Sequence, residues 1–500
     1  MIERSKRGVT ALILVGGALA ACHGERPDVV AQPADAGVPG LLVAKSASAK
    51  LPIPDAAPPI DASAPLDASA PASIAEPAVA PRASAEGIPA ASLSAAVSAN
   101  NAFAVALYAR VRAGNVKTNL LTSPISAELA LSMAYAGATG QTRSEMARAL
   151  QFGATPAKTL FEGQNALSQA LQSRAAAAFA LAGNNFRGSA GPALASDYEF
   201  QIVNSIWGEA SYTWEAPFLQ TLATDYGASV YKRDFRTQWD PARLAINAWV
   251  SKQTSDKIND LLPRESVTKD TRMVLVNALH LKLPWQSPFY KGATAVAPFT
   301  RVDKTQVSTP FMNDQGQLAY ADDGAAQVVS LPLFGNQLAV VIALPHAGSS
   351  LEAYERSLRV GSLLPPHKSA LVKLSLPKSA FTSPTFSLAD ALKALGMTQA
   401  FDEDKAHFEG MCAHPPRGEH LFVSDVLQKT MIDVQETGVE AAAATAVLMA
   451  TTAAAIVRRP EPVPVPMIVN RPYLIAVVDV PTGAILMLGH ITDPSSAPSH

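Results

Sequence analysis

The pattern of apolar and polar positions predicts helices in the first part of the folded chain and strands in the later part. Apolar side chains recur at helical spacing over residues 99–112. Ser123 before Pro124 is a typical start of a second helix, with Ser123 as its cap, and Thr139 caps a third. Apolar runs typical of strands occupy residues 200–207, 273–283, 325–331, 338–344 and 371–376, and a hairpin is predicted over 473–489. This order indicates an α+β fold built on mixed sheets.

The first residues have the pattern of an export signal. Arg4, Lys6 and Arg7 precede an apolar run over residues 9–19, which is short for a membrane span. Leu19-Ala20-Ala21-Cys22 resembles the bacterial lipobox, in which the cysteine is lipidated and becomes the first residue. An ordinary signal peptide with a chance cysteine is the alternative. We expect residues 1–21 to be a lipoprotein signal and the chain to be exported. It would then be anchored to a bacterial outer membrane, on its periplasmic or surface face, or be extracellular.

Residues 22–92 have the composition of a disordered tether. Ala, Pro, Ser and Asp dominate, and the sequence Asp-Ala-Ser-Ala-Pro occurs at Asp61 and again at Asp67. Such a segment has too little apolar surface to offset the entropy lost on ordering. One folded domain is therefore expected over residues 93–500.

Composition and motif searches exclude several function classes. The net charge of -2 provides no basic field for nucleic acid. If Cys22 is lipidated, Cys412 has no disulfide partner. His407 and His414 flank Cys412 at loose intervals, so no metal site is expected. The lone Ser266–Lys269 match to S-x-x-K is the weak basis for an enzyme, and we predict neither catalysis nor a cofactor.

The segment from Glu436 to Val457 is small, nearly uncharged and open to two interpretations. It could be a helix, or it could be a strand that slips between two strands of an existing sheet. Residues 441–457 are uncharged, but this run is shorter than the ~20 residues that a membrane span needs, and much of it is weakly apolar Ala or Thr.

Ordered sequence blocks decide between these interpretations, because together they are similar to the serpins over roughly residues 98–494. The blocks include Asn100-Asn-Ala-Phe103, Thr122-Ser-Pro-Ile-Ser126, Val276-Asn277-Ala-Leu-His280, Leu376-Pro-Lys378 and Asn470-Arg-Pro472. The resemblance implies the serpin fold, with three mixed sheets, about eight or nine helices and an exposed reactive loop at about residues 436–466.

The resemblance also implies a mechanism. A serpin offers its loop to a serine protease, forms a covalent acyl complex, and inserts the cleaved loop into its main sheet. Serpin loop insertion is an established example of the release of strain stored in a fold. The chain is thus expected to be a monomeric, irreversible inhibitor of serine proteases. The alternative is a non-inhibitory serpin that acts as a binding or structural module.

The resemblance places the loop residues one by one. The hinge comprises Glu436, Gly438, Val439, Glu440, Ala441, Ala442, Ala443 and Ala444. In the family the bait bond lies about fifteen residues after the hinge glycine, which points to Thr452–Ala453, with Thr451 or Arg458 as fallbacks. Small residues around that bond favour an elastase-like or subtilisin-like target rather than a trypsin-like one.

The supporting residues are carried over in the same way. Lys378 and Trp285 match the breach, where insertion begins beside Glu436. The shutter under the sheet centre corresponds to Ser123, Ser126, Asn277 and Gln428, the last in place of the family's usual histidine. Basic residues after Phe152 are few, mainly Lys158 and Arg174, so no heparin-type site is expected.

Overall fold

Nine α-helices are found in the part of the chain that the computed structural model describes, which is residues 80–185, 198–366, 368–416, 419–439 and 463–495. They are α1 Ala90–Val111, α2 Pro124–Gly137, α3 Gly140–Ala149, α4 Ala157–Gln172, α5 Arg174–Asn185, α6 Ala216–Thr221, α7 Phe235–Gln253, α8 Leu351–Arg356 and α9 Ala389–Ala394. Helix α6 continues into a π-turn at Leu222–Tyr226.

Seventeen strands in the same described ranges complete the α+β fold. They are β1 Leu120–Thr122, β2 Glu199–Glu209, β3 Val230–Arg233, β4 Met273–Pro284, β5 Ala295–Thr300, β6 Gln306–Asp322, β7 Ala326–Pro332, β8 Leu338–Pro345 and β9 Ser369–Pro377. They continue with β10 Ser379–Thr382, β11 Phe386–Ser387, β12 Asp425–Lys429, β13 Met431–Val434, β14 Gly438–Val439, β15 Val465–Ile468, β16 Tyr473–Asp479 and β17 Ile485–Ile491.

The strands pair into two mixed sheets within the described residues. One follows the order β10-β13-β14-β4-β12-β11, with β2 along the opposite edge of β4 and β3 on β2. The other follows β1-β17-β16-β8-β7-β6-β9-β15, with β5 on β6. Three sheets were expected. The long β6 pairs with β5, β9 and β7 along its length, so it joins two of them into one ladder.

Helix α2 lies at the centre of the core. All of its residues except Ala136 are buried, and it packs against β2 and β4 of one sheet and β17 of the other. Strands β8, β16 and β17 are buried along their whole length, which explains why their sequences are continuous apolar runs. Helix α2 thus contacts both sheets, and one of its contacts is β4. The candidate site is built around β4.

Two predicted helix caps differ from the structure. Ser123 stands at the N-cap position of α2, but its hydroxyl donates to the Leu486 carbonyl (3.2 Å) instead of capping the helix. Thr139 stands before α3, and its hydroxyl donates to Glu409. In both positions an acceptor from a distant part of the chain lies within hydrogen-bond distance. The hydroxyl donates to that acceptor and does not cap its own helix.

The N-terminal end of the described chain is bound to the folded body. Helix α1 begins at Ala90, nine residues before the predicted start. Arg82 Nε donates to Asn165 Oδ1 on α4 (2.9 Å), and the Ala83 amide donates to the Thr224 carbonyl (2.8 Å). The last residues of the predicted tether thus make ordered contacts.

Candidate functional site

The first residues of the predicted loop already form a strand inside the main sheet. After β13 the chain turns at Gln435–Thr437, and β14 runs back antiparallel between β13 and β4. Val439 pairs with Val434 on one side and with Leu283 on the other, while Gly438 pairs with Pro284. Gly438 and Val439, the last described residues of the hinge, therefore lie between β13 and β4.

Beyond this short strand, the next described pairs on the same edge of β4 belong to β12. Strand β12 pairs directly with β4, in parallel, from Asp425↔Val274 to Lys429↔Ala278. Among the described residues, no ladder pair joins the β12–β14 side to β4 at positions 279–282. A strand that continued β14 in register would run past four positions of β4 before it met the β12 pairs.

Gly438 is required by close approach of the backbone. A Cβ at this position would lie 2.3 Å from the Leu283 carbonyl oxygen and 2.5 Å from Pro284 Cα, so no other residue fits. Gly438 does not have a positive φ. The close approach of β4, and not a left-handed backbone conformation, is therefore what requires glycine here.

An ion pair lies beside the turn that precedes β14. The Lys378 ammonium lies 2.9 Å from Glu436 Oε2, and the Thr294 hydroxyl donates to Glu436 Oε1 (2.9 Å). Burial by itself would raise the pKa of Glu436, but the bonds from Lys378 and Thr294 outweigh it, so the pKa lies below its ordinary value. We call Glu436, Lys378, Thr294 and Trp285 the hinge-end cluster.

Trp285 binds the turn that precedes the hinge strand. Its indole Nε1 donates to the Gln435 carbonyl (2.7 Å), and its amide donates to the Thr437 carbonyl (3.0 Å). The Phe289 amide donates to the Glu436 carbonyl (2.8 Å), and the two rings pack edge to face. The turn between β13 and β14 is thus held by backbone bonds as well as by the ion pair.

A neutral cluster joins β12, β4 and the start of α2 at the centre of the sheet. Gln428 Oε1 accepts from the Ser123 amide (3.0 Å), and its Nε2 donates to the Ser123 carbonyl (2.9 Å) and to Asn277 Oδ1 (2.8 Å). Asn277 Nδ2 donates to the Leu427 carbonyl (3.1 Å). The Ser126 hydroxyl donates to the Ala278 carbonyl (3.2 Å). We call Ser123, Ser126, Asn277 and Gln428 the central cluster; at most 1% of each residue is exposed.

Sequence reasoning missed two residues that extend these clusters. Thr294 lies far from Glu436 in the chain, and no sequence pattern pointed to it. Thr430 donates from its hydroxyl to the Leu121 carbonyl (2.8 Å), and its amide donates to the Ser383 hydroxyl (2.9 Å). Thr430 stands two residues after Gln428, so the period of a strand could have indicated it.

The basic residues considered for a heparin-type site have acidic partners. Lys158 pairs with Glu162 on α4. Arg174 forms a buried bidentate pair with Asp479, with Nε–Oδ1 at 2.6 Å and Nη2–Oδ2 at 2.9 Å. Neither provides an unmatched positive charge.

The candidate metal residues are not grouped as a metal site. His407 Nδ1 lies 2.8 Å from a Glu409 carboxylate oxygen, and burial raises the pKa of the Cys412 thiol. Within the ranges that the structure describes, no three His, Cys, Asp or Glu side chains gather as metal ligands.

Several sequence predictions lie outside the described residues. They concern the signal and Cys22, most of the tether, and the loop positions Glu440, Ala441, Ala442, Ala443, Ala444, Thr451, Thr452, Ala453 and Arg458.

Comparison with known proteins identifies the architecture that carries these clusters. The family model described as serpin (serine protease inhibitor) matches residues 98–494. A leukocyte elastase inhibitor of Bos taurus is 31% identical over 408 residues, which covers 79% of this chain and 98% of the relative.

Solved structures lead to the same family. The native state of a thermophilic serpin, tengpin, superposes with a TM-score of 0.66 at 27% identity and covers 79% of this chain and 94% of its own. Thyroxine-binding globulin, in complex with thyroxine, superposes with a TM-score of 0.65 at 26% identity, covering 80% and 99% of the two chains. The family model spans most of the chain, and the fold agrees with it: this protein belongs to the serpin family of serine protease inhibitors.

Proposed function

We propose that this chain is an irreversible inhibitor of serine proteases that traps its target by inserting the cleaved loop between β4 and the β12–β13 side of the sheet. The observation that carries the proposal is the position of β14. The first loop strand already pairs with β4 and β13, and a continuation in the same register runs past four positions of β4 before it reaches the β12 pairs. A cleaved loop could lengthen this strand without a change of register.

The register of β14 supports the proposal. Continued past Val439, it sets Glu440 opposite Lys282, a favourable cross-strand charge pair, and Ala443 opposite Leu279. Val439 and Leu279 are buried in the same core. Side chains alternate along a strand, so Ala441, Ala443 and Thr445 would follow Val439 onto the core face, where small size matters.

The same register explains what insertion must break. Position 444 falls opposite Ala278, which is paired with Lys429. Insertion beyond Ala443 therefore separates β12 from β4 and disrupts the Gln428–Asn277 bond of the central cluster. In this register the first four residues after Val439 precede the β12 pairs, and the remainder must separate β12 from β4.

The bait bond that we propose is Thr452–Ala453. Counted from Gly438, it allows insertion of about fifteen residues, or roughly 50 Å of strand. Cleavage at Arg458 would leave slack, and Arg459 precedes Pro460. Thr and Ala fit a small or medium apolar pocket, so the target is an elastase-like or subtilisin-like enzyme.

Trapping is tested with the mature chain, pancreatic elastase, subtilisin and trypsin. We expect a one-to-one complex with elastase or subtilisin that survives boiling in detergent, together with a released peptide that begins at Ala453. Sequencing of that peptide locates the bond. Clean cleavage with full recovery of protease activity would contradict inhibition and favour a non-inhibitory serpin.

A matched pair of variants tests insertion itself. Ala443→Arg would place a charge on the core face of the inserted strand, and Ala442→Arg would place the same charge on the opposite face. We expect Ala443→Arg to be cleaved at the same bond without trapping, and Ala442→Arg to retain most trapping. Equal trapping by both variants would refute the insertion register.

We also propose that the chain is exported and held at a bacterial outer membrane by a lipid on Cys22. The basis is the signal-like sequence alone. Extraction with a phase-separating detergent is the test: the native chain should enter the detergent phase, and Cys22→Ala should remain in the aqueous phase. Equal partitioning of both would contradict lipidation.

A further inference from the structure

A cavity of about 570 Å³ lies away from the loop-insertion site. Three loops line it: the β5–β6 turn at Thr300–Lys304, the segment between β8 and α8, and Asn470–Pro472 before β16. Val116 and Lys117, which follow α1, complete the wall. Its volume is in the range of small-molecule binding sites, roughly 300–1,000 Å³.

The acidic residues of this cavity are already committed to partners. Glu355 is bound inside the protein, where His490 Nδ1 lies 2.7 Å from its Oε1 and Arg112 Nη1 lies 3.7 Å from its Oε2. Glu352 pairs with Arg356 on α8. Both carboxylates of the lining therefore have partners outside the lining.

The basic residues of the cavity are only partly compensated. Arg301 Nε pairs with Asp493 Oδ2 at 2.6 Å. Lys117, Lys304 and Arg471 have no carboxylate within ion-pair distance in the part of the chain that the structure describes. The Arg471 guanidinium donates only to neutral oxygens, the Pro345 carbonyl (2.9 and 2.7 Å) and Asn470 Oδ1 (3.2 Å). Burial lowers its pKa, as expected for a charge without an anionic partner.

Apolar surface accompanies these charges. Val116, Val302, Pro345, Leu351 and Pro472 all line the cavity. An apolar wall with a few convergent charges of one sign is the arrangement that binds an amphipathic ligand of the opposite charge. We propose that the cavity binds a small organic anion, with a carboxylate or phosphate head near Lys117, Lys304 and Arg471 and an apolar body against the valine, leucine and proline side chains.

Dodecanoate is the probe, and titration calorimetry on the mature chain is the measurement. Two controls separate the parts of the ligand: 1-dodecanol has the same alkyl chain but no charge, and inorganic phosphate has the charge but no alkyl chain. We expect dodecanoate to bind at least about tenfold more tightly than either control, because only dodecanoate engages both parts of the site. Equal affinity for dodecanol, or no binding of dodecanoate, would overturn the proposal.

Charge-reversal variants locate the binding. The double variant K117E/K304E should weaken dodecanoate binding by at least about tenfold. Lys269→Glu makes the same kind of charge change at an exposed lysine outside the cavity lining and should leave the affinity unchanged. Thermal unfolding of each variant verifies the fold. Equal weakening by Lys269→Glu would show a non-specific charge effect and overturn the proposal.

One competitor belongs to the chain itself. Ser495, which contacts Arg301, is followed by five further residues. A chain that ends at Ser495 should bind dodecanoate as tightly as the intact chain. Binding by the shortened chain only would mean that the C-terminal residues fill the cavity, and it would overturn the proposal. These outcomes are independent of protease trapping.

Discussion

Two clusters lie along β4 and differ in charge. At the hinge end, the Lys378 ammonium and the Thr294 hydroxyl bind the Glu436 carboxylate. At the centre of β4, the Gln428 amide donates to Asn277. The Lys378 side chain is 32% exposed, so solvent reaches the hinge-end cluster. The central cluster is closed to solvent. A charge is tolerated where water can approach it, and a neutral network is required where it cannot.

This difference separates two steps of the proposed insertion. The hinge end is the side from which β14 enters, and its ion pair responds to pH and salt. The centre is where β12 must leave β4, and its amide and hydroxyl bonds do not titrate. The variants below perturb one cluster at a time, in order of decreasing effect.

Gly438→Val should have the largest effect, because its side chain collides with the backbone of β4. We expect the hinge strand to be expelled and the free energy of unfolding to fall by about 3 kcal/mol or more. Urea unfolding measures the loss. Gly316→Ala is the control, since a Cβ there meets nothing within 4 Å and the φ is not positive. A Gly438→Val variant as stable as Gly316→Ala would contradict the close packing of β14.

Gln428→His should make the centre sensitive to pH. A neutral imidazole can still accept from the Ser123 amide, but an imidazolium cannot, and burial disfavours its charge. The folded-state pKa of the new histidine then lies below its unfolded value of about 6.5, so stability is lost as pH falls below that value. We expect a loss of about 2 kcal/mol between pH 8 and pH 5 relative to the native chain. An unchanged pH profile would contradict the close fit of the cluster.

Glu436→Gln should show that a charged group stabilises the hinge-end cluster, in contrast to the neutral central cluster. The pKa of Glu436 is depressed, so its contribution to stability is complete above the unfolded value of about 4.3 and disappears as pH falls through the folded value. At pH 7 we expect the variant to be about 1–2 kcal/mol less stable than the native chain. The two proteins should converge near pH 3. A difference that persists at pH 3 would show that packing, not charge, holds the hinge end.

Thr294→Val should have the smallest effect. It removes one hydrogen bond to the Glu436 carboxylate while it preserves shape, and the Lys378 contact remains. We expect a loss of about 1 kcal/mol at pH 7 and a smaller loss after Glu436→Gln, because the glutamine oxygen still accepts from Thr294 but is uncharged; a double-mutant cycle measures the difference. Additive losses would mean that Thr294 acts independently of the ion pair.

Much of the architecture followed from the sequence because its signals are local or periodic. The strand predicted over residues 200–207 is found at Glu199–Glu209, and that over 273–283 at Met273–Pro284. Predictions that depended on what lies across the fold were less accurate. The Ser123 hydroxyl was assigned to its own helix, but the Leu486 carbonyl of β17 accepts it.

The order and composition of residues along the chain were enough to predict the serpin resemblance, the hinge of small residues and the members of both clusters except Thr294. The three-dimensional packing was needed to learn that β14 already lies in the sheet, that Gly438 is required by the Leu283 carbonyl, and that the β12 pairs with β4 reach Ala278. The physical reason is that these facts depend on distances between segments more than a hundred residues apart. Such distances are set by how α2 and the two sheets pack together.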